Sequence, residues 1–153
     1  ERADPGNWTG GTVGRGRLVG TAFGISAAAY PDVDIPNLTR EAALALYERD
    51  YWRRVRADEL PSGLALIVFD AAINNGTARA AKWLQQAVYA VPDGMIGPAT
   101  LAAVAARKWQ DVAASFMASR WLFMVSLPAW RNFGGGWSKR LSALPFQACQ
   151  LVA

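Results

Sequence analysis

Two residue types that often carry enzyme chemistry are missing or scarce in this chain of 153 residues. It contains no histidine, which excludes His-based catalytic triads and histidine-ligated metal sites. It contains one cysteine, Cys149, which excludes an intrachain disulfide because a disulfide joins two thiols. Any catalysis must therefore come from carboxylates, hydroxyls or amides, and no metal site is predicted.

Long apolar runs are missing as well. The run from Leu64 to Phe69 is stopped by Asp70, and the run from Trp121 to Leu127 ends at Pro128. A helix that crosses a bilayer needs roughly 18–20 consecutive apolar residues. The sequence therefore predicts no membrane span.

Apolar residues are nevertheless plentiful. They make up 52% of the sequence against 18% charged residues, a balance that is typical of a globular protein. Sixteen basic and twelve acidic residues give a net charge of +4. That charge favours polyanionic partners, such as nucleic acid, anionic membrane surfaces or bacterial wall polymers, without choosing among them.

Turn residues and apolar spacing predict a mainly α protein with a small irregular β-hairpin near the N-terminus. The first 24 residues are glycine-rich and have no helical period, whereas Thr39 is a candidate N-cap for a helix over 40–55. Gly134, Gly135 and Gly136 are predicted to form a loop before a short last helix over 137–148. Between these segments we predict helices over 61–75, 77–88 (with Thr77 as N-cap), 98–107 and 111–127. With no tandem repeat and no long linker, one compact unit is expected.

Several motifs follow one another in the first half of the chain. They are Asp4-Pro5-Gly6-Asn7-Trp8-Thr9-Gly10-Gly11, Thr21-Ala22-Phe23-Gly24-Ile25, Ala29-Tyr30-Pro31, Asp34-Ile35-Pro36-Asn37-Leu38-Thr39, Tyr47-Glu48-Arg49-Asp50-Tyr51-Trp52 and Phe69-Asp70-Ala71-Ala72-Ile73-Asn74-Asn75-Gly76. In this order they resemble glycoside hydrolase family 108, a group of phage-type and bacterial N-acetylmuramidases. The second half resembles the predicted peptidoglycan-binding region of that family. There the matching motifs are Trp83-Leu84-Gln85, Asp93-Gly94-Met95-Ile96-Gly97-Pro98-Ala99-Thr100 and Trp130-Arg131-Asn132-Phe133-Gly134.

The resemblance implies a lysozyme-like fold and an endolysin-like activity. Its substrate would be bacterial peptidoglycan, cleaved without a cofactor at the β-1,4 bond between N-acetylmuramic acid and N-acetylglucosamine. Residues 1–60 would then form part of a catalytic lobe, and residues 61–153 a helical lobe with the peptidoglycan-binding region. Such an enzyme is phage-encoded or secreted, acts in the periplasm or cell wall, and is expected here to be a monomer.

The family pattern also implies catalytic residues. Glycosidic cleavage needs a carboxylic acid that protonates the leaving oxygen and a polar group that holds or activates water. In the family a Glu supplies the acid, and an Asp and a hairpin Thr follow it. Asp4 and Thr21 match this Asp and this Thr. The likeness to phage lysozymes favours inversion at the anomeric carbon, because a short Asp and a Thr leave room for a water where a nucleophile would otherwise sit.

The acid itself is the open point. By spacing, the family Glu belongs ahead of residue 1, whereas Glu1 stands only three positions before Asp4 and is followed by Arg2-Ala3. Three explanations stay open. The natural protein has an N-terminal helix that precedes this chain, the chain is an inactive relative, or Glu1 has taken over the role in a remodelled site.

Four further side chains are candidates for substrate binding. The ring of Trp8 could stack on a pyranose, or instead plug the hairpin onto the core. Asn74 and Asn75 could hydrogen-bond the N-acetyl and hydroxyl groups of a sugar, or simply end a helix. Tyr30 is a further candidate because the motif Ala29-Tyr30-Pro31 matches the family.

Two functions from other classes compete with the hydrolase. A wall-binding module without catalysis would bind sacculi and release no sugar ends. A nucleic-acid binder would need a basic patch with exposed aromatic residues. Because the basic residues are scattered along the chain, we expect no nucleic-acid partner.

Overall fold

A computed structural model describes residues 3–151 and divides into two compact units, Glu1–Glu48 and Arg49–Ala153. The first unit carries a short hairpin, and the second is built from helices. This confirms the prediction of a mainly α protein with a small β element near the N-terminus. The functional division into residues 1–60 and 61–153 stays a prediction.

The hairpin of the first unit is short and tightly turned. Strand β1 (Thr21–Ala22) pairs antiparallel with β2 (Ile25–Ser26), so that Thr21 lies opposite Ser26. The two loop residues, Phe23 and Gly24, both have positive φ angles, as the primed hairpin turns require. Glycine adopts this backbone readily, and a Cβ at Gly24 would also lie 2.6 Å from the Tyr47 hydroxyl.

A small apolar core supports the hairpin from below. Its buried members are Ile25 from β2, Ile35 from a 3₁₀ turn, and Ala43 from helix α1 (Arg40–Tyr47). The Thr39 hydroxyl accepts a hydrogen bond from the Ala42 N–H at 3.2 Å, which confirms the predicted N-cap. The α-helical part of this segment ends well before residue 55, because a π-helical turn follows over Glu48–Trp52.

Five α-helices build the second unit within the described residues 49–151. Their bounds are α2 (Ser62–Asn75), α3 (Thr77–Ala87), α4 (Pro98–Ala105), α5 (Trp109–Ser126) and α6 (Trp130–Gln150). Gly76, with φ +89°, separates α2 from α3 as its turn position predicts. Thr77 is already the first residue of α3 and Gly76 its N-cap, so the prediction of Thr77 as N-cap was wrong.

Helix α2 is the centre of the second unit. It packs against α3, α5 and α6, and Leu64, Val68 and Ala71 along it are fully buried. Around it, Phe116 of α5 meets Trp83 of α3 edge to face, with ring centroids 5.9 Å apart. Since such aromatic side chains remove large apolar areas from water, Phe116→Ala would cost about 3–5 kcal/mol of stability.

The glycine triplet does not form the predicted loop. Helix α6 runs unbroken from Trp130 through Gly134, Gly135 and Gly136. Gly134 is buried against the Trp130 ring, where an added Cβ would lie 2.9 Å from a ring atom. Helix α6 also packs against α2 and α5, and this packing outweighs the poor helix propensity of glycine, which costs about 1 kcal/mol per residue.

None of the helices within residues 3–151 has the length and hydropathy that a membrane crossing requires.

Candidate functional site

Two of the three catalytic candidates, Asp4 and Thr21, line the same open cavity. This cavity has a volume of about 620 Å³, and both Asp4 and Thr21 face it. The other lining residues are Asn7, Leu18, Val19, Gly20, Ala22, Ile35 and Pro36. Two residues that are 17 positions apart in sequence thus meet at one solvent-accessible site.

Asp4 is placed by the local backbone. Its Oδ1 accepts a hydrogen bond from the Gly6 N–H at 2.8 Å and so caps the 3₁₀ turn Pro5–Asn7. Pro5 suits the first position of such a turn because its φ is already restricted. The Asp-Pro-Gly sequence therefore holds one oxygen of an exposed carboxylate and leaves the side chain at the rim of the cavity.

Thr21 is placed by Asn7, a residue that the sequence reasoning missed. The Thr21 hydroxyl donates to Asn7 Oδ1 at 2.8 Å, and Asn7 is only 7% exposed. The main-chain oxygen of Asn7 accepts from the N–H groups of Val19 and Gly20 at 2.9 and 3.0 Å. Because a hydroxyl has a single hydrogen, Thr21 meets any further partner as an acceptor.

Trp8 and Tyr30 lie elsewhere in the first unit. Trp8 is half-buried and forms an isolated antiparallel bridge with Leu18. Tyr30 is half-buried and packs against the small core. Neither lines the cavity of Asp4 and Thr21, and their predicted sugar-binding roles stay predictions. Glu1 lies outside the described residues.

Asn74 and Asn75 belong to the second unit, at the end of α2. The Asn74 amide donates to the main-chain oxygen of Asp70 at 2.6 Å. The Asn75 amide donates to Met124 Sδ at 3.2 Å, and its Oδ1 accepts from Arg120 Nε at 3.0 Å. Asn75 thus links α2 to α5, whereas exposed Asn74 lines a small cavity of this unit.

A buried carboxylate with two arginines lies next to these amides. Asp70 of α2 is 8% exposed, and its Oδ2 lies 2.7 Å from Arg120 Nη1 of α5. Its Oδ1 accepts from Arg140 of α6, from Nε at 2.9 Å and also from Nη2. Burial lowers the pKa of Arg120, and the charge of Asp70 opposes that effect.

The loop between α3 and α4 is held by a second polar cluster. Buried Gln85 donates to Asp93 Oδ1 at 2.6 Å and accepts from the Gly94 N–H at 2.9 Å. The Met95 N–H also donates to Asp93 Oδ1, at 2.8 Å. The hydrogen bond from Gln85 lowers the pKa of the Asp93 carboxyl most, and the hydrogen bond from the Met95 N–H lowers it further. Within residues 3–151 no three His, Cys, Asp or Glu side chains form a group that could hold a metal ion.

Comparison with known proteins gives the chain a family. A family model described as Glycosyl hydrolase 108 matches residues 1–76, and one described as Predicted Peptidoglycan domain matches residues 79–142. The solved structure of SagA from Brucella abortus is 32% identical with a TM-score of 0.79, over 88% of this chain and 82% of that one. The chain belongs to the glycosyl hydrolase 108 family. No curated protein matches it significantly.

Membership of the glycosyl hydrolase 108 family confirms the resemblance seen in the sequence and the lysozyme-like, mainly helical fold class. The two matched regions indicate a peptidoglycan-related hydrolase or binding function. The match over residues 79–142 supports peptidoglycan as the partner of the chain. In this glycosyl hydrolase 108 member, the cavity of Asp4 and Thr21 lies within the hydrolase match, and the Gln85 and Asp93 cluster lies within the peptidoglycan match.

Proposed function

We propose that this chain belongs to a muramidase that cleaves the β-1,4 bond between N-acetylmuramic acid and N-acetylglucosamine, and that Asp4 and Thr21 hold the attacking water. The observation that supports it is their shared cavity, in which Asn7 orients the Thr21 hydroxyl. Both residue types, in this order, match the Asp and Thr of the family pattern.

The hydrogen bonds support a separate role for each side chain. The Thr21 hydrogen is donated to Asn7, so the Thr21 oxygen accepts one hydrogen of the water. Asp4 Oδ1 is engaged by the Gly6 N–H, and Oδ2 is the atom that accepts the second hydrogen and finally takes the proton. With both hydrogens held, a lone pair of the water points at the anomeric carbon.

Cleavage then inverts the anomeric centre. The new bond joins the water oxygen to the anomeric carbon, while the bond from that carbon to the glycosidic oxygen breaks on the opposite face. A carboxylic acid delivers its proton to the leaving oxygen. Among the described residues that line this cavity, Asp4 is the only carboxylate, so a second carboxyl group must supply this proton.

We assign the acid to a glutamic acid on the N-terminal side of Asp4, in keeping with the family pattern. Glu1 or a residue of a preceding helix would fill this role. Trp8, Tyr30, Asn74 and Asn75 would contribute to sugar binding, and residues 61–153 would bind the wall. The enzyme would act as a monomer in the periplasm or cell wall, as a phage-encoded or secreted protein.

One observation favours a second candidate function, a peptidoglycan-binding module without catalysis. Within the part of the chain that the structure describes, the cavity holds one carboxylate, Asp4, whereas glycosidic cleavage also needs a carboxylic acid that protonates the leaving oxygen. A chain with no general acid would keep its wall affinity and lose turnover.

The test measures two quantities on one sample of purified Gram-negative peptidoglycan. Release of new muramic-acid reducing ends reports hydrolysis, and pelleting with the sacculi reports binding. Release that is lost in Glu1→Gln and in Asp4→Asn would support the muramidase with Glu1 as its acid. Binding without release supports the binding module, unless an N-terminal extension carrying Glu-Gly-Gly restores release.

One further assay and one negative result complete the test. A product-anomer assay on the active form reports inversion, and retention would contradict the assigned role of the water. If the folded chain, with and without the extension, neither releases sugar ends nor pellets with sacculi, both candidate functions are wrong.

A further inference from the structure

A small cavity in the second unit is lined by two arginines and an asparagine. It has a volume of about 110 Å³ and lies between the end of α2 and helices α5 and α6. Its lining residues are Asn74, Arg120, Met124, Leu127, Trp137, Arg140 and Leu141. This space is large enough for a small anionic group such as a carboxylate.

The charges around this cavity do not balance. Arg120 and Arg140 share one carboxylate, that of Asp70. Two guanidinium groups against one carboxylate give the cluster a formal net charge of +1. Arg120 is 1% exposed, and a buried charge without full compensation is unfavourable. An anion in the cavity would supply the missing negative charge.

Donors also remain available there. Arg120 Nη1 approaches Asp70 at ion-pair distance but makes no well-aligned hydrogen bond within residues 3–151. Arg120 Nη2 and Arg140 Nη1 donate to no group within the same residues, although both side chains line the cavity. Two arginine side chains that line one cavity and have donors available match the two oxygens of a carboxylate.

We propose that this cavity binds a carboxylate, held by Arg120 and Arg140 above Asp70. The apolar side chains of Met124, Leu127 and Leu141 suit a methyl-sized substituent on the carbon next to that carboxylate. The class of ligand follows from these contacts alone. Its source rests on the proposed function, because the stem peptides of peptidoglycan end in carboxylates of small amino acids.

The experiment titrates the whole chain, labelled with ¹⁵N, and follows the Nε–H resonances of Arg120 and Arg140 and the indole resonance of Trp137. The probes are N-acetyl-D-alanyl-D-alanine, the amide of the same dipeptide, sodium acetate and inorganic phosphate. We expect the dipeptide acid to shift these resonances in a saturable way and the amide to leave them unchanged. Acetate that binds as tightly as the dipeptide would identify a free carboxylate as the source.

Variants connect the binding to the charge imbalance. Arg140→Gln leaves Arg120 and Asp70 as a neutral pair, so carboxylate affinity should fall about tenfold or more. The Arg140 side chain is 52% exposed, and this change should leave the chain folded. Arg140→Lys keeps the charge without the planar pair of guanidinium donors. Its carboxylate affinity should lie between those of the unchanged protein and Arg140→Gln. Lys139→Gln removes a neighbouring charge from α6 and should bind as the unchanged protein does.

Three results would overturn the proposal: equal binding of the dipeptide acid and its amide, preference for phosphate over every carboxylate, or unchanged affinity in Arg140→Gln. These titrations need no hydrolysis. The chain could bind carboxylates and yet neither digest sacculi nor pellet with them. This result would support the carboxylate site and contradict only its assignment to the wall peptide. Digestion of sacculi without carboxylate binding would support the proposed function and contradict the carboxylate site.

Discussion

At the residue scale, the arrangement around Thr21 rests on one hydroxyl hydrogen. Asn7 Oδ1 takes that hydrogen, and Asn7 is itself held by two main-chain N–H groups. The Thr21 oxygen is therefore an oriented acceptor rather than a freely rotating hydroxyl. Oriented dipoles of this kind lower a barrier because they need no rearrangement during the reaction.

A pair of substitutions at Thr21 tests this role. Thr21→Val removes the acceptor with little change in shape and should lower reducing-end release about 100-fold in the form of the chain that digests peptidoglycan. Thr21→Ser keeps the hydroxyl and should retain most activity. Thr12→Val, in the exposed glycine-rich loop, controls for the general effect of the change. Equal activity of Thr21→Val and the unchanged chain would remove Thr21 from the mechanism.

At the element scale, glycines mark where helices pack closely. A Cβ at Gly63, in the first turn of α2, would lie 2.6 Å from the Trp109 ring of α5 and 2.9 Å from the Ala148 carbonyl of α6. The contacts of this one residue therefore set the spacing of three helices. Gly135, by contrast, has no atom within 4 Å of the position that a Cβ would take.

These two glycines give a matched prediction. Gly63→Ala should destabilise the chain by about 1–3 kcal/mol, because the added methyl group forces α5 and α6 away from α2. Gly135→Ala should stabilise it by up to about 1 kcal/mol, since alanine loses less backbone entropy in a helix. Urea unfolding measures both values. The same sign for the two changes would contradict the packing described here.

The loop between α3 and α4 predicts a pH effect. The pKa of Asp93 is lowered in the folded chain, so its ionised form stabilises the fold above the unfolded pKa of about 3.9, and this contribution is lost as the pH falls through the folded pKa. Asp93→Asn should therefore lower the Tm at pH 7, and the difference from the unchanged protein should shrink below about pH 4. A difference that stays constant with pH would contradict this.

Thermal unfolding at a series of pH values measures the Asp93 effect. Asp32→Asn, an exposed carboxylate of the first unit, serves as its control for the loss of one negative charge.

At the scale of the whole molecule, the net charge of +4 favours several polyanionic partners, and the salt dependence of binding distinguishes them. Added salt shortens the Debye length from about 10 Å at 0.1 M to about 3 Å at 1 M and weakens long-range attraction to an anionic wall polymer. Sacculus binding that rests mainly on local contacts should fall only several-fold over this range. Nucleic-acid binding through many phosphate contacts would fall far more steeply, by about 10³–10⁵ between 50 and 200 mM salt.

Pelleting with sacculi and a DNA-binding assay, both over a salt series, measure this difference. Retention on DNA at 0.1 M salt that exceeds retention on sacculi would contradict peptidoglycan as the main partner.

Residues next to one another in sequence determined much of this protein. Thr39, Gly76 and Pro98 marked helix boundaries because caps, left-handed glycines and first-turn prolines act within a few residues. The ordered motifs identified the family, and with it Asp4 and Thr21. Whether these two hold the catalytic water is still a prediction.

Only the tertiary structure decided what depends on distant neighbours. Helix α6 runs through Gly134, Gly135 and Gly136 where it packs against α2 and α5, although the glycines by themselves predict a loop. Asn7 meets Thr21 across 14 residues, and Asp70 meets Arg140 across 70. No local pattern connects such partners, because their approach depends on how the hairpin and the helices pack. Capping and turn preferences act through the adjacent backbone, whereas burial and charge pairing act through space.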